Sequence, residues 1–236
     1  MDDEIVLRSL KPEDLPTVAR VHMNSFPESA LTRLGSSIVE RYYLWQLTGP
    51  HEKVRATGAF IGGECAGFSF SGVFSGSTSG FIRRNSAFLI GEVLRRPRLL
   101  FNKLYLKRLA EGVRLLFRSF KKTGKKKTIS TANAEKPVVY GILSIAVAEN
   151  FQKSGIGRLL MQDAEEEAIR CGQRRICLTV HPENEKAVRF YEKQNWQKDV
   201  RNGRWNGAMI KILNPDETLA AQEEKNFFRR MRLSAN

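Results

Sequence analysis

The sequence predicts a mixed α/β fold, one sheet with helices packed on it. Three observations predict it. Strand-like apolar runs alternate with segments whose apolar residues recur at helical spacing. One run, Val138–Val147, is apolar enough to be a central strand. A loop holding Gly155 and Gly157 then joins that run to a helical pattern over Ile156–Arg170. With 236 residues and a hydrophobic share of 42%, the chain is long enough for one large domain or a domain with an insertion.

The elements follow in order. Ile5–Arg8 reads as a first strand. Lys11–Pro12–Glu13–Asp14–Leu15 opens a helix, with Pro and acids in its first turn, and Leu15, Val18, Val21, His22 and Phe26 fall at helical spacing. A second helix is expected near Ser36–Trp45. Val54–Ile61 and Cys65–Val73 form a hairpin about Gly62–Gly63. The Gly/Ser-rich stretch Ser75–Gly80 reads as a break.

Residues 81–136 differ from the rest. They hold 16 Lys/Arg and 3 Asp/Glu, a net +13 of the chain's +14. A short helix is expected at Phe88–Leu94 and an amphipathic one from Leu99 to Phe120, followed by a solvated lysine-rich loop. Order resumes with the strand to Val147, the helix to Arg170 capped by Gly172, a strand Arg175–Val180, a helix Asn184–Lys193 and a strand Gly207–Leu213. A tail helix is expected over Pro215–Arg232. One domain, 1–213, interrupted by 81–136 and followed by a tail at 214–236, accounts for this order.

Three cysteines without a CxxC pair, Cys65, Cys171 and Cys177, read as reduced thiols. Three histidines without paired spacing give no metal site. The acidic start Met1–Asp2–Asp3–Glu4 is unlike a secretory signal, and no run of about 18 uncharged apolar residues occurs. A cytoplasmic location is expected, with membrane association left open by the basic segment.

The stretch Leu143–Leu160 places free backbone N–H groups at a helix N-terminus just beyond a strand. Such a place favours a phosphate-bearing ligand. It is not a P-loop, because Arg158–Leu159 stands where Gly-Lys-Ser/Thr would be needed. It fits a dinucleotide loop poorly, because Leu160 takes the place of the third glycine. A plain glycine turn remains open for the loop taken alone.

The downstream block decides between them. Gln152–Lys153–Ser154–Gly155–Ile156–Gly157, followed about 30 residues later by Leu178–Trp196 with Asn184 and Tyr191, resembles the two signatures of the GCN5-related N-acetyltransferases (GNAT). Asn195–Trp196 stands where that family usually has Gly-Phe, and Glu149 where it often has Pro. The resemblance implies an acyl-CoA N-acyltransferase fold, with the basic segment as a helical insertion between the third and fourth strands.

The resemblance also implies a site. A bulged, splayed strand would pair with the pantetheine arm of acetyl-CoA through Ile145, Ala146 and Val147. The N–H groups of Gln152, Lys153, Ser154, Gly155, Ile156 and Gly157 would hold the pyrophosphate, with Arg158 adding charge. Asn184 would bond the pantetheine side, and a backbone N–H near Val147 would hold the oxyanion. Tyr191 would protonate the departing thiolate as general acid. His181, His22 and Glu28 are the candidates for the base.

The expected acceptor is a small-molecule amine such as an amino sugar. The alternatives are a protein N-terminus or lysine, and, in another class, a non-catalytic acyl-CoA-binding module. Three readings apply to the basic insertion: a lid attracting an anionic acceptor, a peripheral contact of 81–127 with anionic membrane, or a solvated excursion. Nucleic acid is disfavoured for want of a recognised motif.

Overall fold

The computed structural model describes residues 4–95 and 139–214. The amphipathic helix expected at Leu99–Phe120, the lysine-rich loop and the tail helix lie outside the described residues. Strands β1 (Val6–Ser9), β2 (Glu52–Ile61), β3 (Glu64–Val73), β4 (Tyr140–Val147), β5 (Arg175–Thr179), β6 (Gln197–Lys198) and β7 (Ala208–Ile212) form one sheet, ordered β1-β2-β3-β4-β5-β7-β6. Together with helices α6 (Ile156–Arg170) and α7 (Glu185–Glu192) they make one compact unit. Helices α1 (Leu15–Ser25), α2 (Ala30–Leu34), α3 (Ser36–Thr48), α4 (Ser77–Arg84) and α5 (Ser86–Leu94) belong to a second.

In the sheet unit, β2 and β3 pair antiparallel around Gly62 and Gly63, both at positive φ, which is the backbone a tight two-residue hairpin requires. β3 then pairs antiparallel with β4. Between them Phe70 faces Ser144 while Ser71 faces Ile142, so Leu143 is an extra residue on β4. β4 and β5 run parallel, but only Tyr140–Ile176 and Gly141–Cys177 are in register. A Cβ on Gly141 would lie 3.0 Å from both the carbonyl oxygen and the Sγ of Cys177, so glycine permits this close approach. Beyond it the two strands part.

Helix α6 spans that split with two apolar patches. Ile156 and Leu160 join Ala59 and Ala66 of β2 and β3. Met161, Ala164 and Ala168 join Ile176, Leu178, Met209, Val188, Tyr191 and Trp196. Gly67 lets the first patch sit on β3, since a Cβ there would be 3.1 Å from Ile156 and 3.3 Å from Leu160. The helix ends as expected: Gly172 has φ 74°, its N–H bonds Ile169, and the N–H of Gln173 reaches back to Ala168.

In the helical unit, α1 buries Leu15, Val18, Ala19, Val21 and His22. The short helix α2 has no counterpart in the sequence reading. Its periodicity is too brief to register, and the Ser29 side chain that caps it accepts from the N–H of Thr32. The expected break at Ser75–Gly80 also becomes helix, because α4 starts at Ser77 behind a left-handed Gly76. Tertiary contact overrides the local glycine signal: Trp45 donates its indole N–H to Ser77, and its ring covers Gly80. No helix among the described residues is long and apolar enough to cross a membrane.

Candidate active site

The site begins with the unpaired edge of β4. The N–H of Ala148 donates to Ala66 on β3 at 2.8 Å. Backbone groups alternate along a strand, so the polar groups of Ala146 also face β3 and those of Ile145 and Val147 face the split. No strand among the described residues pairs with that edge past Gly141. Of the three β4 residues assigned to the pantetheine arm, Ile145 and Val147 therefore present hydrogen-bonding groups there, and Ala146 supplies a buried side chain.

The loop after β4 turns through a single 3₁₀ turn, Glu149–Phe151. Lys153 and Gly155 both take positive φ, 66° and 89°. Ser154 donates its hydroxyl to the Phe151 carbonyl at 2.6 Å and so stiffens the turn. The first backbone acceptor of α6 is its N-cap Gly155, which receives the N–H of Leu159. Every backbone N–H from Lys153 to Arg158 is thus without an acceptor among the described residues. The N–H of Gln152 is not: it bonds Glu149 at 3.2 Å. The row of donors runs from Lys153, one residue later than the sequence reading began it, and takes in Arg158. With the positive end of the helix dipole behind it, this row suits a diphosphate.

The two glycines do different things. A Cβ on Gly155 would meet nothing within 4 Å, so this position needs glycine for its backbone angle. A Cβ on Gly157 would lie 3.2 Å from the Phe190 ring and 3.7 Å from Val147, so this one needs glycine for close packing. That packing brings α7 against the loop and the end of β4.

Asn184 caps α7, its Oδ1 accepting from the N–H of Ala187 at 3.1 Å. Its Nδ2 and the second lone pair of Oδ1 are left to reach a ligand. Tyr191, near the end of the same helix, is 9% exposed, with its ring 5.4 Å from Phe190 and 6.2 Å from Trp196. Burial pushes its phenol up to about 12, so it stays protonated at neutral pH.

Residues 104–196 match the model of the acetyltransferase (GNAT) family. Over that stretch the chain is similar to the GNAT acetyltransferases. Its fold is similar to that of PH1933 from Pyrococcus horikoshii (TM-score 0.53, 19% identity, covering 89% of this chain and 99% of that one). It is similar to yncA of Salmonella typhimurium, solved with its cofactor acetyl-CoA (0.51, 15%, 89% and 95%). It is also similar to the PaiA N-acetyltransferase of Thermoplasma acidophilum in complex with coenzyme A (0.51, 16%, 89% and 99%). No curated protein sequence matches the chain.

The three candidate bases of the GNAT reading lie in different settings. His181 is exposed, 4.0 Å from Glu183. Glu28 is exposed and paired with Arg33. His22 is buried in the helical unit, its Nδ1 2.8 Å from the Tyr43 hydroxyl and its Nε2 3.2 Å from Ser29 Oγ. Desolvation lowers it to about 4. Each ring nitrogen already has a partner, which makes it a structural histidine in this arrangement. Among the described residues no three His, Cys, Asp or Glu side chains gather as a metal site.

Sequence reasoning passed over the carboxylates that hold α6 in place. Asp163 accepts from Arg55 and Thr57 of β2. Glu165 accepts from Trp196 and Lys211. The available signal was an acid on the inner side of an otherwise apolar helix face, opposite Arg55 and Thr57 at alternate strand positions.

Proposed function

We propose that this chain is a GNAT-type, acetyl-CoA-dependent N-acetyltransferase, with acetyl-CoA lying in the split between β4 and β5. One observation carries the reading. The unpaired edge at Ile145 and Val147 runs directly into the row of unaccepted N–H groups from Lys153 to Arg158. An extended chain of amides ending in a diphosphate is the ligand chemistry that uses both, the first as an added strand and the second as an anion cradle.

Bound there, acetyl-CoA supplies an acyl group already activated as a thioester. Ile145 and Val147 hold the amide arm. Lys153–Arg158 hold the diphosphate, and the exposed guanidinium of Arg158 adds positive charge. The Val147 N–H, on the split side, donates to the acyl oxygen. Tyr191 holds a proton at its hydroxyl for the sulfur as the neutral amine attacks. Its proton is bound more tightly than that of a thiol, whose pKa is about 8.5. Its main contribution is therefore a hydrogen bond to the developing thiolate rather than an early transfer.

The acceptor we favour is a small-molecule amine such as an amino sugar. The net +13 of residues 81–136 supports an anionic one. The test is thermal stabilisation by acetyl-CoA against CoA. Thiol release follows, on amino-sugar phosphates, neutral amines, and peptides with free N-termini or lysines. Release on the sugar phosphates is expected. Release on peptides alone makes the enzyme a protein acetyltransferase. Stabilisation without release on any amine makes the domain a non-catalytic acyl-CoA-binding module. Absence of stabilisation by either ligand overturns the reading.

A further inference from the structure

Glu165 on α6 is enclosed between two donors that belong to the far arm of the split sheet. Its Oε1 accepts the indole N–H of Trp196 at 3.0 Å, and its Oε2 accepts from Lys211 Nζ at 2.8 Å. The Glu165 and Lys211 side chains are 13% and 20% exposed. Burying such a pair is a weak way to gain stability, because desolvation offsets most of the attraction. No step described above uses the carboxylate.

The partners of Glu165 show what it holds. Trp196 is 2% exposed, and its backbone N–H donates to the carbonyl of Tyr191 at 3.1 Å. The two rings are tilted by 51°, with centroids 6.2 Å apart. Trp196 therefore touches Tyr191 through both backbone and ring. Lys211 lies on β7, opposite Ile176 of β5. One carboxylate thus joins three things: the helix whose N-terminus bears the unaccepted N–H groups, the β5–β7 arm, and the support of the buried phenol. On the other arm, Asp163 ties the same helix to β2.

We infer that Glu165 is a positioning residue, which through Trp196 sets the Tyr191 hydroxyl relative to the N-terminus of α6 and hence to the sulfur of a CoA held there. This rests on the reading of the split as the acetyl-CoA site. The diphosphate end and the sulfur end of the ligand are held by separate elements, α6 and α7. Glu165 fixes their spacing from within the protein. Loss of Glu165 leaves the diphosphate cradle whole and displaces the phenol.

The test compares CoA with desulfo-CoA, which lacks only the sulfur, by calorimetric titration of the full chain. One hydrogen bond to the sulfur makes wild type bind CoA about fivefold tighter than desulfo-CoA. Tyr191→Phe brings that ratio close to one. Glu165→Leu, which offers the indole no acceptor, and Trp196→Phe do the same with the phenol still present, while desulfo-CoA binds as to wild type. A general loosening of the fold would weaken both ligands alike and leave the ratio standing. Trp196→Phe keeps an aromatic ring and the Glu165–Lys211 pair, so it carries the test if Glu165→Leu fails to fold.

An unchanged ratio in both variants, or equal weakening of both ligands, overturns the inference and leaves the acetyl-CoA reading intact. A wild-type ratio of one overturns it by removing the contact between Tyr191 and sulfur. No binding of either ligand to wild type overturns the site reading, and the inference with it.

Discussion

Arg55 meets Asp163 through two nitrogens at once, Nη2 at 2.7 Å and Nε at 3.1 Å, while Thr57 gives its hydroxyl to the same carboxylate at 2.6 Å. The hydrogen bond to Asp163 is the main reason the Arg55 guanidinium is held charged more firmly than usual. Asp163→Ala would leave a half-buried guanidinium and a fully buried hydroxyl without this acceptor. It should cost about 2–4 kcal/mol of stability. Asp163→Asn should cost less, since its amide oxygen still accepts one bond. Urea unfolding of the three proteins checks the order.

Gly155 and Gly157 should respond differently to alanine. At Gly155, φ is 89°, and an L side chain there costs about 1–2 kcal/mol. Gly155→Ala should lower the melting temperature and weaken CoA by distorting the row of N–H groups. Gly157→Ala presses on the far end of the Phe190 ring at 3.2 Å, which can give way, and meets Val147 at an ordinary 3.7 Å, so it should cost less in stability. Differential scanning calorimetry with and without CoA separates the two effects.

Asn195 sits at φ 65° immediately before the buried Trp196. Asn tolerates this left-handed turn and alanine does not. Asn195→Ala should destabilise by about 1 kcal/mol, whereas Asn195→Gly should fall within about 0.5 kcal/mol of wild type. Equal losses in chemical denaturation would show that the turn is not what selects the residue.

His22 makes stability depend on pH. Its folded value of about 4 lies below the ordinary 6.5, so the unfolded chain binds the extra proton first. The stabilisation due to the neutral ring is complete above pH 6.5, declines as pH falls to 4, and changes no further below that. The loss across this window is at most about 3 kcal/mol. His22→Gln should flatten unfolding free energies between pH 6.5 and 4 by that amount.

Tyr191→Phe should slow thiol release at least tenfold once an acceptor is in hand, with the wild-type stability largely kept. An unchanged rate would remove the phenol from the chemistry. Because burial holds its proton to about 12, Tyr191 should contribute no alkaline limb to the wild-type rate profile below that pH.

Much of the fold could be read in the sequence because its elements declare themselves locally. The bounds of α6, Ile156 to Arg170, and its stop at Gly172 follow from apolar spacing and a left-handed cap. The left-handed turn at Asn195 was legible for the same reason. What escaped notice depends on residues distant in the chain. Nothing near Gly67 announces that Ile156 and Leu160 will land on it. Nothing near Ser77 announces that Trp45 will turn a glycine-rich break into helix. The donor row at Lys153–Arg158 was visible as a motif, but that Gln152 stands outside it depends on the 3₁₀ turn at Glu149.

The extra residue at Leu143 acts on the strand as a shift of reading frame. Were Leu143 paired with Phe70 in regular register instead of bulging, Ser144 would come opposite Ser69, and Ala146 opposite Gly67. Those two would then turn their amides and carbonyls to the split, while Ile145 and Val147 turned theirs to β3. One inserted residue decides which half of the strand's backbone a ligand can meet. A sequence aligned across Leu143 one position out of step would assign every contact on this edge to the wrong neighbour.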